Sequence, residues 1–291
     1  MTHSITINDQ TFISNTWDVI YKKYLEATLK DGEKFVGRNG ETLSTFGSSV
    51  KVDLREGFPL TALRKLPFKN IVREFLFDVG LSTNVEALGP AKHFWDFLAD
   101  ENGELGASAY NRQWRRWPAS RPGSEVPNET LVELGAVDQL ERVRALLTDL
   151  PNSRHGTVIT HNPTALADSC PPCHLLMHFS PINGNLDVMV PARSNDLIVG
   201  HILDVPRYAM ILIMMAKMTG LTPRYVFMPS ANTHIYKNSY NIARELLERS
   251  PSPDPQLIVT DREYTSWDDI QFDDFAIQDY NPHPPIKIEV N

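Results

Sequence analysis

The dipeptide Asn183-Gly184, set between the apolar runs 175–179 and 186–190, constrains this chain more than any other stretch. A two-residue hairpin turn needs positive φ at both central residues, which Asn and Gly supply, so the pair predicts a β-hairpin. The hairpin carries chemistry at both ends. Cys170-Pro171-Pro172-Cys173-His174 precedes it. Arg193-Ser194-Asn195-Asp196 follows it, and then Gly200 through Tyr208 with Asp204 among them. A thiol held near an arginine, hydroxyl and amide side chains and a carboxylate suits a nucleophile facing an anionic substrate.

Three readings of the cysteines compete. A C-x-x-C redox pair normally opens a helix after a strand, whereas here a strand-like run follows and prolines fill both middle positions. A zinc site needs four ligands, or three plus water, and the chain has no second cysteine pair. Two buried thiols would be ordinary packing. The neighbouring residues favour Cys173 as a nucleophile.

The chain as a whole narrows its partners. Its net charge of −8 argues against broad affinity for nucleic acid or anionic membranes, so an anionic substrate needs a local arginine cluster. Two cysteines in 291 residues argue against a disulfide framework and for a reducing, cytoplasmic setting. The first residues lack a charged region followed by an apolar core, so no signal peptide is expected. The most apolar stretch, 208–216, is too short to span a bilayer.

Apolar spacing predicts helices over 16–29, 67–79, 129–150, 205–219 and 234–249, with strands over 42–54, 157–159, 224–228 and 256–259. Residues 31–40, with Arg38, read as a polar loop, residues 118–128 as another, and the tail from 281 as irregular. Glu74 lies among Ile71, Val72, Phe75 and Leu76, where a carboxylate is costly if buried and unpaired, so it marks either the helix surface or a site. Strands and helices do not alternate regularly, which predicts a layered α/β or α+β fold with a mixed sheet. With no internal repeat and no long linker, residues 1–291 read as a single domain.

Several motifs in register resemble the thymidylate synthase family. They are Tyr110-Asn111-Arg112-Gln113-Trp114-Arg115, Pro172-Cys173-His174, Arg193-Ser194-Asn195-Asp196 with Gly200, and His234-Ile235-Tyr236. They run in the family's order from about residue 15 to the C-terminus. The resemblance implies the family's layered fold, a homodimer formed through its sheets, a pyrimidine nucleoside monophosphate substrate and 5,10-methylenetetrahydrofolate as co-substrate, with no metal. It implies Cys173 as the nucleophile at C6, beside His174, with Glu74 relaying protons and Tyr110 helping to remove the C5 proton. Arg193 beside Cys173 is expected to favour the thiolate. Arg38, Arg193 and Ser194 would hold the phosphate, joined by Arg154 and His155 donated across the dimer. His234 and Tyr236 would hold the 3′-hydroxyl. Asp196, Gly200, Trp95, Leu98 and the C-terminal Asn291 would meet the folate. A catalytically silent nucleotide- or RNA-binding relative is the non-enzyme alternative.

The sequence also departs from the family. His155 stands where the family has a second arginine, and Ala192 where glutamine is usual. The departure with most chemical consequence is Asp204, where thymidylate synthases carry an asparagine that pairs with uracil. An ionised Asp only accepts, which suits the 4-amino group of cytosine and faces O4 of uracil badly. Cytidylate hydroxymethylases share this Asp. Leu98 at the second tryptophan position, and a chain ending Glu289-Val290-Asn291, would leave the folate edge less covered. The sequence therefore predicts 5-hydroxymethylation of dCMP or CMP, with thymidylate synthesis or dCMP C5-methylation as the alternatives.

Overall fold

The computed structural model describes residues 2–118, 135–165 and 170–288. A nine-stranded mixed sheet carries the architecture. Its strands are β1 (His3–Ile7), β2 (Gln10–Ser14), β3 (Glu33–Gly37), β4 (Gly40–Asp53), β7 (Gly156–Ile159), β8 (Leu176–Ile182), β9 (Asn185–Met189), β10 (Asn195–Asp196) and β11 (Thr222–Tyr236). They run in the order β2-β1-β4-β11-β9-β8-β7, with β3 on β4 and β10 on β11. The short strands β5 (Trp117–Pro118) and β6 (Ala136–Val137) pair apart from it, as do β12 (Gln256–Val259) and β13 (Phe275–Gln278). The helices are α1 (Trp17–Asp31), α2 (Phe68–Val79), α3 (Tyr110–Arg115), α4 (Gln139–Asp149), α5 (His201–Thr219) and α6 (Tyr240–Glu248). No described helix is long and apolar enough to cross a membrane.

The period of two along the strands explains the layering. Val50, Val52, Val226, Met228, Leu186, Val188, Met177 and Phe179 all point into the main core. The alternate positions point the other way, and Ile159, Ile182 and Met189 lie open there, whereas on β4 the alternation breaks beside Gly47 (φ 76°) and leaves Phe46 86% exposed. On the covered side runs α5, buried nearly all round as its composition predicts, against β11, α2 and α4.

The Asn183-Gly184 hairpin forms, with both residues at positive φ (49° and 76°). Elsewhere the boundaries differ from the sequence reading. Residues 33–37 form a strand, not a loop; every side chain before Gly37 is exposed, so no alternation shows in the sequence. β11 extends to Tyr236 where a helix was expected. Thr233, His234 and Ile235 are all buried, which hides its period. The helix expected over 129–150 starts at Gln139, where Asp138 caps it by accepting from the Glu141 N–H. Residues 119–134, including most of the expected 118–128 loop, and Asn291 lie outside the described residues.

Candidate active site

Backbone hydrogen bonds stitch the site together along the end of β11. The segment after Val190 follows β11 in parallel: Ala192 N–H donates to Pro229 O, Ala231 N–H to Ala192 O, and Leu197 N–H to His234 O. On its other side Arg193 N–H donates to Cys173 O at 2.8 Å, and His174 bridges Ala192. The cysteine loop, the arginine segment and the His234 strand are thus three adjacent backbones. Pro171 and Pro172 donate no N–H, and their carbonyls receive the Arg193 guanidinium at 2.6 and 2.9 Å.

The Cys173 thiol does not rest as the thiolate the sequence suggested. Burial pushes it above the usual value, Arg193 pulls it back only in part, and Asp204 and Cys170 raise it further. Its backbone N–H donates to Tyr110 Oη (3.2 Å), which lies 3.3 Å from His174 Nδ1. Burial raises the Tyr110 phenol and lowers the His174 imidazole, so both are neutral near pH 7. The Tyr110 ring meets Trp95 edge-on and tilts against His174.

Beneath the thiol lies a charged floor. Arg207, inside α5, donates from Nη2 to Asp204 Oδ1 at 2.6 Å and from Nη1 to Glu74 Oε2 at 3.1 Å. Its Nε is 3.2 Å from Asp78 Oδ2. Asp204 Oδ2 lies 3.5 Å from His174 Nε2. Glu74 is therefore buried in this group and not at the helix surface. Burial raises its carboxyl, opposed chiefly by Arg207 and also by a hydrogen bond from Trp95. Asp78 is pushed up by burial to about 7.

Above the floor is a cleft of about 340 Å³ lined by Cys173, Asp204, Asp196, Gly200 and Phe97. It merges with a second space of about 430 Å³ through Arg38, Arg193, Ser194, His234 and Tyr236, which line both. Arg38 is exposed at the β3–β4 turn, donating to Asn39 Oδ1 at 3.2 Å. His234 stands edge-on to Tyr236, with Nδ1 2.8 Å from Asn232 Oδ1, and burial lowers it to about 4. Asp196 accepts from the Ile198 N–H and is raised by burial to about 6.

Of the residues expected at the substrate or folate, Trp95, Arg154, His155 and Leu98 do not line the cleft; Trp95 packs between the two cores against Tyr110. Arg154 and His155 are exposed in the turn before β7 and do not line it. Leu98 packs into a small separate cluster with Phe77 and Leu88, and its neighbour Phe97 faces the cleft instead. Asn291 is outside the described residues.

The profile of one family, described as thymidylate synthase, matches residues 19–291. The chain belongs to the thymidylate synthase family. Membership indicates a folate-dependent transferase that moves one carbon to C5 of a pyrimidine nucleotide, with methylenetetrahydrofolate as co-substrate. The residues present fit a folate. An apolar space of about 380 Å³ adjoins the cleft through Val199, walled by Leu66, Pro67, Leu203 and Ile286, with Arg64 and Lys65 at its border. Such a space suits an aromatic group ending in carboxylates. Among the described residues no group of three or more His, Cys, Asp or Glu is arranged to hold a metal. The sequence reading missed Arg207, Asp78 and Phe97. Glu74 and Asp78 at i,i+4, with Asp204 and Arg207 at i,i+3, each on an apolar helix, were the available signal for the first two.

Proposed function

We propose that this protein transfers a hydroxymethyl group to C5 of a cytidine monophosphate, dCMP or CMP, using 5,10-methylenetetrahydrofolate and water. The observation that carries the reading is Asp204. Its Oδ1 receives Arg207, its Oδ2 lies 3.5 Å from His174 Nε2, and the residue lines the cleft together with Cys173. An ionised carboxylate accepts hydrogen bonds and donates none. Cytosine offers its 4-amino group to such a carboxylate, and N3 once protonated. Uracil sets O4 against it, and a buried polar mismatch is strongly rejected.

The chain's own groups then have definite tasks. Cys173 attacks C6, and because its thiol is neutral at rest, its proton leaves as the attack proceeds. The π electrons of the C5–C6 bond move to C5, which becomes the nucleophile toward carbon. The folate supplies that carbon at the oxidation level of formaldehyde. Tyr110, tied to the Cys173 N–H and close to His174, helps the C5 proton leave. Glu74, whose raised carboxyl keeps it able to hold a proton, relays protons at the base. Arg38, Arg193 and Ser194 hold the phosphate, and His234 and Tyr236 the 3′-hydroxyl. Asp196, Gly200 and Trp95 orient the folate. Leu98 at the second tryptophan position, with Phe97 beside it 73% exposed, supports entry of water and hence a hydroxymethyl product.

We further propose a single catalytic unit acting as a homodimer in a cytoplasmic setting. A core continuous from Ile5 to residues packed near the C-terminus supports the first point. The open sheet face and the position of Arg154 and His155, exposed and away from their own cleft, support pairing that brings them to a partner's phosphate. The acidic surface supports a small nucleotide and not a nucleic acid. The test is mass spectrometry of products from CMP, dCMP, UMP and dUMP with methylenetetrahydrofolate, with dihydrofolate absorbance followed in parallel. A hydroxymethylated cytidylate without dihydrofolate is expected. Preference for a uridylate, or stoichiometric dihydrofolate with a methylated product, would refute the reading.

A further inference from the structure

Two members of the charged floor, Asp78 and Arg207, have no task in the chemistry above. Glu74 and Asp78 stand one turn apart on α2 and face α5. Asp204 and Arg207 stand three residues apart on α5 and complete the group. The guanidinium meets all three carboxylates at 2.6 to 3.2 Å. Its side chain is 4% exposed, those of Asp78 and Glu74 2% and 6%, and that of Asp204 16%. Asp204 is thus the carboxylate of this group that opens to the cleft, and it has the shortest contact with the arginine.

The charge count matters here. Three carboxylates surround one guanidinium; His174, 3.5 Å from Asp204, is kept neutral by burial, and Cys173, Tyr110, Tyr208 and Asp196 also lie within electrostatic reach of Asp204 and bring no positive charge. Carboxylates buried beyond what a cation can balance take up protons. Glu74 and Asp78 lie deepest, and burial raises both carboxyls.

We propose that Arg207 is a positioning residue for base selection: through its bond to Oδ1 it fixes the Asp204 carboxylate at the wall of the cleft, while Glu74 and Asp78 anchor the guanidinium from α2. This rests on the cytosine reading. An arginine serves because its fork spans three partners and carries no acceptor. A glutamine in its place is neutral and reaches fewer partners, so Asp204 would lose the bond that fixes its orientation at the cleft wall.

The experiment measures kcat/KM for cytidylate and uridylate, as deoxy- and ribonucleotides, in the wild type, Arg207→Lys, Arg207→Gln and the double variant Arg207→Gln/Asp78→Asn. The double variant also removes the Asp78 carboxyl that would be left without its arginine, and keeps the test readable if the single one fails to fold. The cytosine-to-uracil ratio should fall about tenfold or more in the glutamine variants, as for a lost hydrogen bond to a charged group. Lysine, a point charge without the fork, should retain part of the ratio and carries the test if neither glutamine variant folds. A purely structural arginine would lower both efficiencies together and leave the ratio unmoved, which overturns the inference. A wild type that prefers uridylate overturns the cytosine reading and this inference together. A wild type that prefers cytidylate, with an unmoved ratio in the variants, overturns this inference alone.

Discussion

The floor and the rim of the cleft both depend on arginine, in opposite ways. Arg207 on the floor is enclosed, and all its strong partners belong to the same chain. Arg193 and Arg38 on the rim are exposed, and among the described residues their hydrogen bonds go to neutral oxygens, the carbonyls of Pro171 and Pro172 and the amide of Asn39. The floor has its counter-charges built in, so its geometry precedes the substrate. The rim has cations whose bonds are satisfied but whose charge is not. An arriving phosphate supplies the missing charge. Selection of the base and capture of the phosphate are thus separate jobs given to separate depths.

The sharpest way to break this division is at Cys173, between the two depths. Cys173→Ser should abolish turnover while far-ultraviolet circular dichroism stays that of the wild type, and Cys170→Ser should keep most activity. The reverse pattern would move the nucleophile and dissolve the boundary.

The rim also extends beyond one chain if the dimer forms as proposed. Refolding Cys173→Ser together with Arg154→Ala should restore roughly a quarter of wild-type activity from two inactive variants, by random pairing into dimers with one intact site. No recovery would confine the rim to a single chain.

On the floor, Asp204→Asn should move preference from cytidylate toward uridylate by roughly tenfold to a hundredfold in kcat/KM, the range of one hydrogen bond worth about 1–3 kcal/mol. Arg207 keeps Glu74 and Asp78 as partners, so folding should survive. An unmoved preference would remove the floor from base selection.

A rim substitution should act on a different constant. Arg38→Ala should raise KM about three- to tenfold with kcat nearly unchanged, a modest effect because the side chain is solvated, and the difference should shrink as salt is added. A change in kcat alone would mean that rim and floor are coupled.

The smallest effect concerns the floor's reserve of protons. A carboxyl with folded pKa about 7 against 3.8 contributes stability that is full below about pH 4 and is lost as pH rises through 7. In Asp78→Asn that part vanishes. The fall in Tm between about pH 4 and 7 should therefore be shallower, by roughly a few degrees. An equally steep fall would place the surplus proton elsewhere.

The same division decided what could be read in advance. Rim and thiol residues announce themselves because chemistry in a loop needs unusual local strings, such as Pro-Pro-Cys-His or Arg-Ser-Asn-Asp. The hairpin was legible because Asn183-Gly184 has few other uses. Arg207 was not, because it is an ion pair between helices far apart in sequence, and inside α5 its charge looked like an interruption of an apolar run. The N-terminal hairpin was missed for a related reason. Its turn, Asn8-Asp9 at φ 49° and 61°, uses a weaker signal than Asn-Gly, and β2 shows little burial alternation. The expected thiolate failed because the motif shows the nearby arginine but not the depth of burial, and depth was the larger effect.

The pairing of β4 with β11 also sets an order of events during synthesis. β4 joins Asp53 to Tyr225 and Thr42 to Tyr236, strands from opposite ends of the chain. Contacts between such distant segments form late, since the intervening chain must first be closed into a loop. A nascent chain that has emerged only as far as Thr219 holds Cys173, Arg193, Asp204 and Arg207, but not the strand along which Ala192 and Asp196 are aligned. The cleft is therefore assembled after translation has passed Tyr236. Until then the apolar face of β4 waits without its partner, the interval in which this chain has most need of protection from aggregation.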